Sequence, residues 1–384
     1  MTLIMWLVGA VVLWILAYVL AARFMSRRMP SVMLSVATAT AFVAQVGVFA
    51  LRIVTIDWEA AAGVAAETRW QKLSVILGAL AANEWGHVVS VTIWLTWGLF
   101  AFAYLTRAGI IARATTMESV RQPLFTLLMV LAIVFMVLLT FLPQFTMGDD
   151  LKSFKDNGLS TILISGLLLA IWTASTSIAQ EIEGRTAMTL LSKPINRRQF
   201  IVGKFFGILH TMLLLVIPLL IVFFVLIFYK VGYDQRESSK PVSVYIDLET
   251  YRPDPVRTQE VLQVIPPTAL MLFEITVLAA VSVAISTRAP MVVNMTSCFA
   301  IFVVAHLAPV LVLHQAEGFE PVQFVARLIA IFLPALEFFN TQAAVATNKI
   351  ISPEYLGYSL FYCAAYSTAA LLLAFILFED RDLA

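Results

Sequence analysis

The chain has 384 residues, of which 61% are hydrophobic and 13% charged, and its mean hydropathy is +0.91. A soluble domain carries about 45–50% apolar and about 25% charged residues, and nothing this apolar can cover its own surface with polar groups. A soluble enzyme, a secreted disulfide scaffold and a disordered chain are therefore excluded, a lipid bilayer is the solvent the composition requires, and a net charge of +1 gives no basic surface for nucleic acid.

A spanning helix needs about 20 mostly apolar residues. Nine segments meet that length: 3–21, 31–51, 86–106, 123–143, 159–179, 205–229, 264–286, 291–313 and 358–378. Two weaker runs remain. Segment 73–82 is too short to span, and 322–339, which carries Arg327, Pro334 and Glu337, reads as re-entrant or interfacial. The alternation of a membrane β-barrel is absent, so the expected fold is an all-α helical bundle of about nine transmembrane helices. Cys298 and Cys363 both lie in apolar runs and read as small buried hydrophobes rather than a disulfide or a metal pair.

Lysine and arginine in the short loops set the orientation. The loop after the first span holds Arg23, Arg27 and Arg28 with no acid, and 107–121 holds Arg107, Arg113 and Arg121 against Glu118. Segment 181–204 holds Arg185, Lys193, Arg197, Arg198 and Lys204 against Glu181 and Glu183, whereas loop 230–263 is evenly balanced. Base-rich and balanced loops alternate through nine crossings, which places the N-terminus outside and the C-terminus in the cytoplasm. No base precedes the first apolar run, so a cleaved signal peptide is not expected.

The spans fall into two groups: three in 1–106 and six in 123–384, joined by the polar stretch 107–122. In that stretch Ile110, Ala114, Met117 and Val120 fall at helical spacing with the charges elsewhere on the wheel, the pattern of an amphipathic helix on the cytosolic face. An ordinary polar linker is the competing reading.

Segment 181–204 is the longest highly charged stretch assigned to the cytosol. Ala187, Met188, Leu191 and Ile195 share one helical face; the acids Glu181 and Glu183 open the helix, where its dipole favours them, and Pro194 ends it. Arg197 and Arg198 follow, and a second short helical piece leads into the next span. The pattern is a surface-lying helix–break–helix. By itself it fits an interfacial helix with no partner as well as one that docks.

The run Glu181, Gly184, Thr186, Leu190-Leu191-Ser192, Pro194-Ile195, Arg197-Arg198, Phe200, Gly203-Lys204-Phe205 and Gly207 resembles the cytosolic signature of ABC-2 type exporter permeases. Such permeases have six spans with this motif between the second and third, the place it occupies here counting from residue 123. They begin with an amphipathic elbow helix, which 111–121 resembles, and often end in a charged tail such as Phe378-Glu379-Asp380-Arg381-Asp382-Leu383. The resemblance covers about 111–383, and the first three spans depart from it. It implies a six-helix core with a cytosolic coupling helix, a permease dimer, and a separate ABC ATPase subunit. Contact with that ATPase would fall to Glu181, Gly184, Arg185, Leu191, Pro194, Arg197 and Arg198. The alternative is a non-transporting anchor or sensor subunit on the same scaffold.

Other chemistry is weakly signalled. No G-x-x-x-x-G-K-[ST] occurs; Gly203-Lys204 is followed by Phe205 and lacks the earlier glycine, so any ATP would be hydrolysed elsewhere. His87, His210, His306 and His314 show no metal-ligand spacing, and no cofactor is implied. Ser165, Ser175 and Ser177 lack a paired base in sequence and read as helix-packing glue. In the outer loop, Pro241 to Ile246 suits a short strand. Glu274 is the one acid well inside an expected span, tenth of the residues from Ile265, roughly 15 Å below the outer end. It is expected to face protein or water, either lining a substrate pathway or as a hydrogen-bonded structural acid, with Asn294 and His306 as candidate partners.

Overall fold

The computed structural model describes residues 106–142, 150–183, 196–237, 245–247, 252–313, 333–340 and 351–379. The three expected N-terminal spans, most of the outer loop, and Gly184, Arg185, Leu191 and Pro194 of the coupling segment lie outside the described residues. The chain divides between Ile110 and Ile111, and the architecture below is that of the described residues from Ile111 onward.

The described residues are almost wholly helical. Helix α1, Arg107–Arg121, stops where Gln122 is extended (φ −67°, ψ 140°), because the Pro123 ring disfavours helical backbone in the residue before it. Proline is then well placed to open α2, Pro123–Phe141. The side-chain oxygen of Gln122 accepts a hydrogen bond from Trp172 Nε1 at 2.8 Å, which fixes this elbow to the next helix. Helix α3, Asp150–Ala174, continues through one π-turn, Ser175–Ala179, and a last α-turn, Gln180–Glu183.

Helix α4, Arg197–Glu237, is 41 residues long. The sequence reading had a short helical piece leading into a span at 205–229, and the two are one continuous helix. No proline separates Arg197 from Phe205, and Phe200, Ile201 and Phe205 continue one buried face. At 1.5 Å per residue α4 is about 60 Å long, twice the hydrocarbon thickness of a bilayer. Pro218 lies inside it.

Beyond α4 the outer loop contains a two-residue antiparallel pairing, β1 (Ile246–Asp247) with β2 (Arg252–Pro253). Asp254 then caps α5, Pro255–Leu262, its carboxylate accepting from the Arg257 backbone N–H at 3.2 Å. Helix α6, Ile265–Ser286, and α7, Met291–Leu313, form an antiparallel hairpin around Thr287–Pro290. A short 3₁₀ turn, Leu336–Phe339, is the described part of the expected interfacial segment. Its two ends are tied to α8, Pro353–Glu379, by Ala335 N–H to the Tyr362 hydroxyl (2.8 Å) and by the Tyr355 hydroxyl to Phe338 O (2.9 Å).

Among the described residues, five helical segments are long and apolar enough to cross a membrane: Pro123–Phe141, Asp150–Ala179, Arg197–Glu237, Pro255–Ser286 and Pro353–Glu379. Of their apolar stretches, 72% of the second and 67% of the fourth are buried, against 28% of the first and 22% of the last, so α3 and α6 form the centre and α2 and α8 the rim. The outward faces of α2 and α8 carry Leu127, Leu131, Phe135, Phe361, Leu372 and Ile376 in the open, which suits contact with lipid chains. One packed cluster joins Phe125, Met136, Phe154, Ile162, Phe223 and Ile275; a second joins Leu167, Ile171, Leu278, Cys298, Phe339 and Cys363. Both cysteines are buried and free. Gly158 makes room on α3 for α4, since a Cβ there would lie 2.1 Å from the Phe223 ring.

Candidate functional site

At one end of the bundle α3 finishes and α4 begins. Glu181 Oε1 accepts a hydrogen bond from Lys204 Nζ at 2.6 Å, and the Lys204 side chain is only 4% exposed. The ammonium also lies 5.5 Å from the centre of the Phe200 ring. Burial raises the Glu181 pKa above its ordinary value; the Lys204 charge and hydrogen bond oppose that rise, and the negative charge of Glu118 on α1 adds to it. The two residues flanking the signature and the amphipathic helix therefore share one electrostatic neighbourhood.

The face of α1 that packs against protein is not its apolar stripe. Its buried face is Ala112, Thr115, Thr116, Ser119 and Val120, while Ile110 and Ala114 are exposed and Met117 is half-buried. Of the expected apolar stripe only Val120 turns inward. The reason lies in α4: a Cβ on Gly207 would stand 2.7 Å from Ala112 O and 2.8 Å from Thr115 Cβ, so the helices meet where both side chains are small. Thr116 seals the crossing, its hydroxyl 2.9 Å from Ala112 O, 3.2 Å from Gly207 O and 3.3 Å from His210 Nδ1.

Arg197, read from sequence as a partner contact, reaches α8. Its Nη1 donates to Phe378 O (3.2 Å) and Glu379 O (2.7 Å). Arg288, in the short connection between α6 and α7, donates from Nε to Leu377 O at 2.9 Å. Two cations, one at the start of α4 and one between α6 and α7, thus satisfy the last carbonyls of α8, where helix geometry leaves acceptors unpaired and the dipole favours positive charge. Arg198 is exposed and, with Asn196, Arg197, Phe375, Phe378 and Glu379, lines a cleft of about 320 Å³.

Deep in the bundle, Glu274 is 2% exposed, as its depth in α6 led one to expect. Of its two candidate partners, His306 is in place, with Nε2 3.4 Å from Glu274 Oε1. Asn294 is not. It donates both amide hydrogens elsewhere, to Ser175 Oγ (2.8 Å) and Ser282 Oγ (3.0 Å), and its oxygen accepts from the Cys298 thiol (3.4 Å). The hairpin explains the sorting. In an antiparallel pair closing near residues 287–290, position 282 faces 294 and position 274 faces 306. Ser175, the first residue of the π-turn, is interhelical glue as its sequence setting implied; its own hydroxyl donates to Ile171 O at 2.8 Å.

At the opposite end several buried cations escaped sequence reading. Lys155 pairs with Glu260 and lies 3.4 Å from Gln263 Oε1, and Lys230 pairs with Asp234 at 3.2 Å. Arg257 is fully buried, donating from Nη1 to Phe228 O (3.0 Å) with its guanidinium 3.9 Å from the Tyr245 ring centre. Only Lys230–Asp234, at i and i+4 on one helix, had a local signal.

The described residues form a helical bundle, five of whose segments are long and apolar enough to cross a membrane, with paired charges at its ends and a polar seam inside. No protein-family model matches the chain, and no curated protein is significantly similar to it.

Proposed function

We propose that this chain is the permease subunit of an ATP-binding cassette transporter of the ABC-2 type. In this reading it moves a substrate across the cytoplasmic membrane, as an exporter, using ATP hydrolysed by a separate ATPase chain. The observation that carries the proposal is the meeting of α1, Glu181 and Lys204 at one end of the bundle. An elbow-like helix, whose exposed Ile110 and Ala114 and half-buried Met117 suit a bilayer surface, lies beside both flanks of the segment that resembles the family's coupling signature. A coupling helix between Glu183 and Arg197 would be held at its two ends by the Glu181–Lys204 pair and by the Arg197 contacts to α8. Motion of a docked ATPase would pass from there into α3, α4 and α8. A rigid connection of this kind is what a lever requires.

The fuller architecture belongs to the same proposal: nine spans, a permease homodimer, the N-terminus outside and the coupling segment in the cytoplasm. Affinity purification of the full chain in mild detergent tests it. An ATPase should co-purify, and Leu191→Asp should abolish that co-purification while the protein remains inserted. Equal ATPase recovery with the variant rejects the coupling assignment. Cysteines introduced at 187–199 should react with an impermeant reagent only after permeabilisation; labelling from outside reverses the topology and rejects the coupling reading with it.

A further inference from the structure

We propose that Glu274 and His306 together form a proton-binding site inside the bundle, one that takes up and releases a proton as a unit. The inference rests on the helical membrane bundle and not on the ATPase-driven reading.

The geometry fixes where hydrogens must be. His306 Nδ1 lies 3.0 Å from Phe302 O. A carbonyl oxygen only accepts, so Nδ1 carries hydrogen. Nε2 then points at Glu274 Oε1 across 3.4 Å, and among the described residues Oε1 makes no formal hydrogen bond. With a neutral ring and an ionised carboxylate, two lone pairs would face each other in a site where Glu274 is 2% exposed. One proton between them removes that conflict.

Among the described residues the surroundings offer no other compensation. Helix α6 packs against α3, α4, α7, α8 and the 3₁₀ turn. From α7 the titratable groups are His306 and Cys298, the latter held by Asn294. From α8 they are Cys363, whose thiol contacts Phe273 O at 3.5 Å, with Tyr362 and Tyr366 beside it. On α3, Asp150, Lys152 and Asp156 lie in the first two turns, and Lys155 is paired with Glu260. On α4, Lys204 is paired with Glu181, Lys230 with Asp234, and His210 stands beside Thr116. Glu337 of the 3₁₀ turn is exposed and accepts from Asn340. Among the described titratable groups His306 alone meets the Glu274 carboxyl, and at 31% side-chain exposure it is the more exposed member of the pair.

The proton balance is simple. With one proton the pair is neutral, either as a carboxylic acid donating from Oε1 to Nε2 or as an imidazolium donating from Nε2 to a carboxylate. The two forms differ only by moving that proton across the gap. A second proton arriving from water gives an imidazolium facing a carboxylic acid, with charge +1, whose carbonyl oxygen still accepts from Nε2–H.

Infrared difference spectroscopy on the full chain in lipid nanodiscs, with no ATPase present, tests this. Spectra are stepped from about pH 4 to about pH 9, a range that brackets free carboxyl and imidazole titration. Wild type should show a carboxylic C=O band at the high-frequency edge, apart from solvated surface acids, which changes with pH and shifts in D₂O. Glu274→Gln should remove it and Glu274→Asp restore it. His306→Gln should keep the band but move its pH midpoint by at least about 1 unit. A wild-type spectrum lacking the band overturns the proposal, as does one in which it never changes with pH, the signature of a locked structural acid. So does a band that survives Glu274→Gln. Since the wild-type measurement alone can reject the idea, a variant that fails to fold does not protect it. Loss of ATPase co-purification, by contrast, would leave these spectra untouched.

Discussion

The end of the bundle where α3 meets α4 and the interior level at Asn294 bury polarity in opposite ways. At the end, full charges persist: Lys204 is answered by Glu181, and Arg197 and Arg288 by helix carbonyls. Inside, Asn294, Ser175, Ser282 and Cys298 form a neutral network in which each amide hydrogen and the amide oxygen has one partner. The difference teaches where charge is tolerable. Near an end, long side chains reach partners and the rim remains close to water, whereas in hydrocarbon every unsatisfied polar group costs several kcal/mol. Neutral hydrogen-bonded side chains are the economical interior solution. Glu274 departs from that pattern, which is why it stands out as a site rather than as packing.

The largest effect that would sharpen this contrast is expected at the charged end. Glu181→Leu leaves the Lys204 ammonium buried without its carboxylate and should destabilise the protein by about 3 kcal/mol. The double variant Glu181→Leu/Lys204→Met should recover most of that loss, because it removes both charges. Chemical denaturation in detergent gives the cycle, and additive losses would mean the two residues do not interact. A smaller effect is expected inside. Asn294→Ala deprives two serine hydroxyls and one thiol of their partner and should cost about 1–2 kcal/mol by the same measurement. A cost equal to that of Glu181→Leu would erase the distinction between end and interior.

The smallest effect is a slope. Folding raises the Glu181 pKa, so the folded state holds this proton more tightly than the unfolded chain does. Its contribution to stability is complete below the unfolded carboxyl range, near about pH 4, and is lost as pH rises through the raised value. Thermal unfolding midpoints of wild type should therefore fall relative to those of Glu181→Gln as pH rises from about 4 to about 7. Parallel curves would show that burial does not weigh on this carboxyl.

Local chemistry in the sequence determined a good deal. The apolar excess placed the chain in lipid, and the ends of α6 and α7 fell where the apolar runs end, at Ile265–Ser286 and Met291–Leu313. Pro123 set the break between α1 and α2, and helix rise alone put Glu274 deep in α6 and kept it from lipid. Tertiary structure decided the rest: that Arg197 caps α8, that Lys155 meets Glu260 across 105 positions, that Asn294 bridges to Ser175 across 119. It also decided which face of α1 meets protein, the small and polar one of Ala112, Thr115, Thr116 and Ser119. The physical reason is common to these cases. In water an apolar stripe marks the buried face, but lipid is as apolar as leucine, so hydrophobicity says that a helix is in the membrane without saying which side meets protein. That choice falls to small residues such as Gly207 and Ala112, which let backbones approach, and to polar groups whose partners lie on other helices and leave no trace in local spacing.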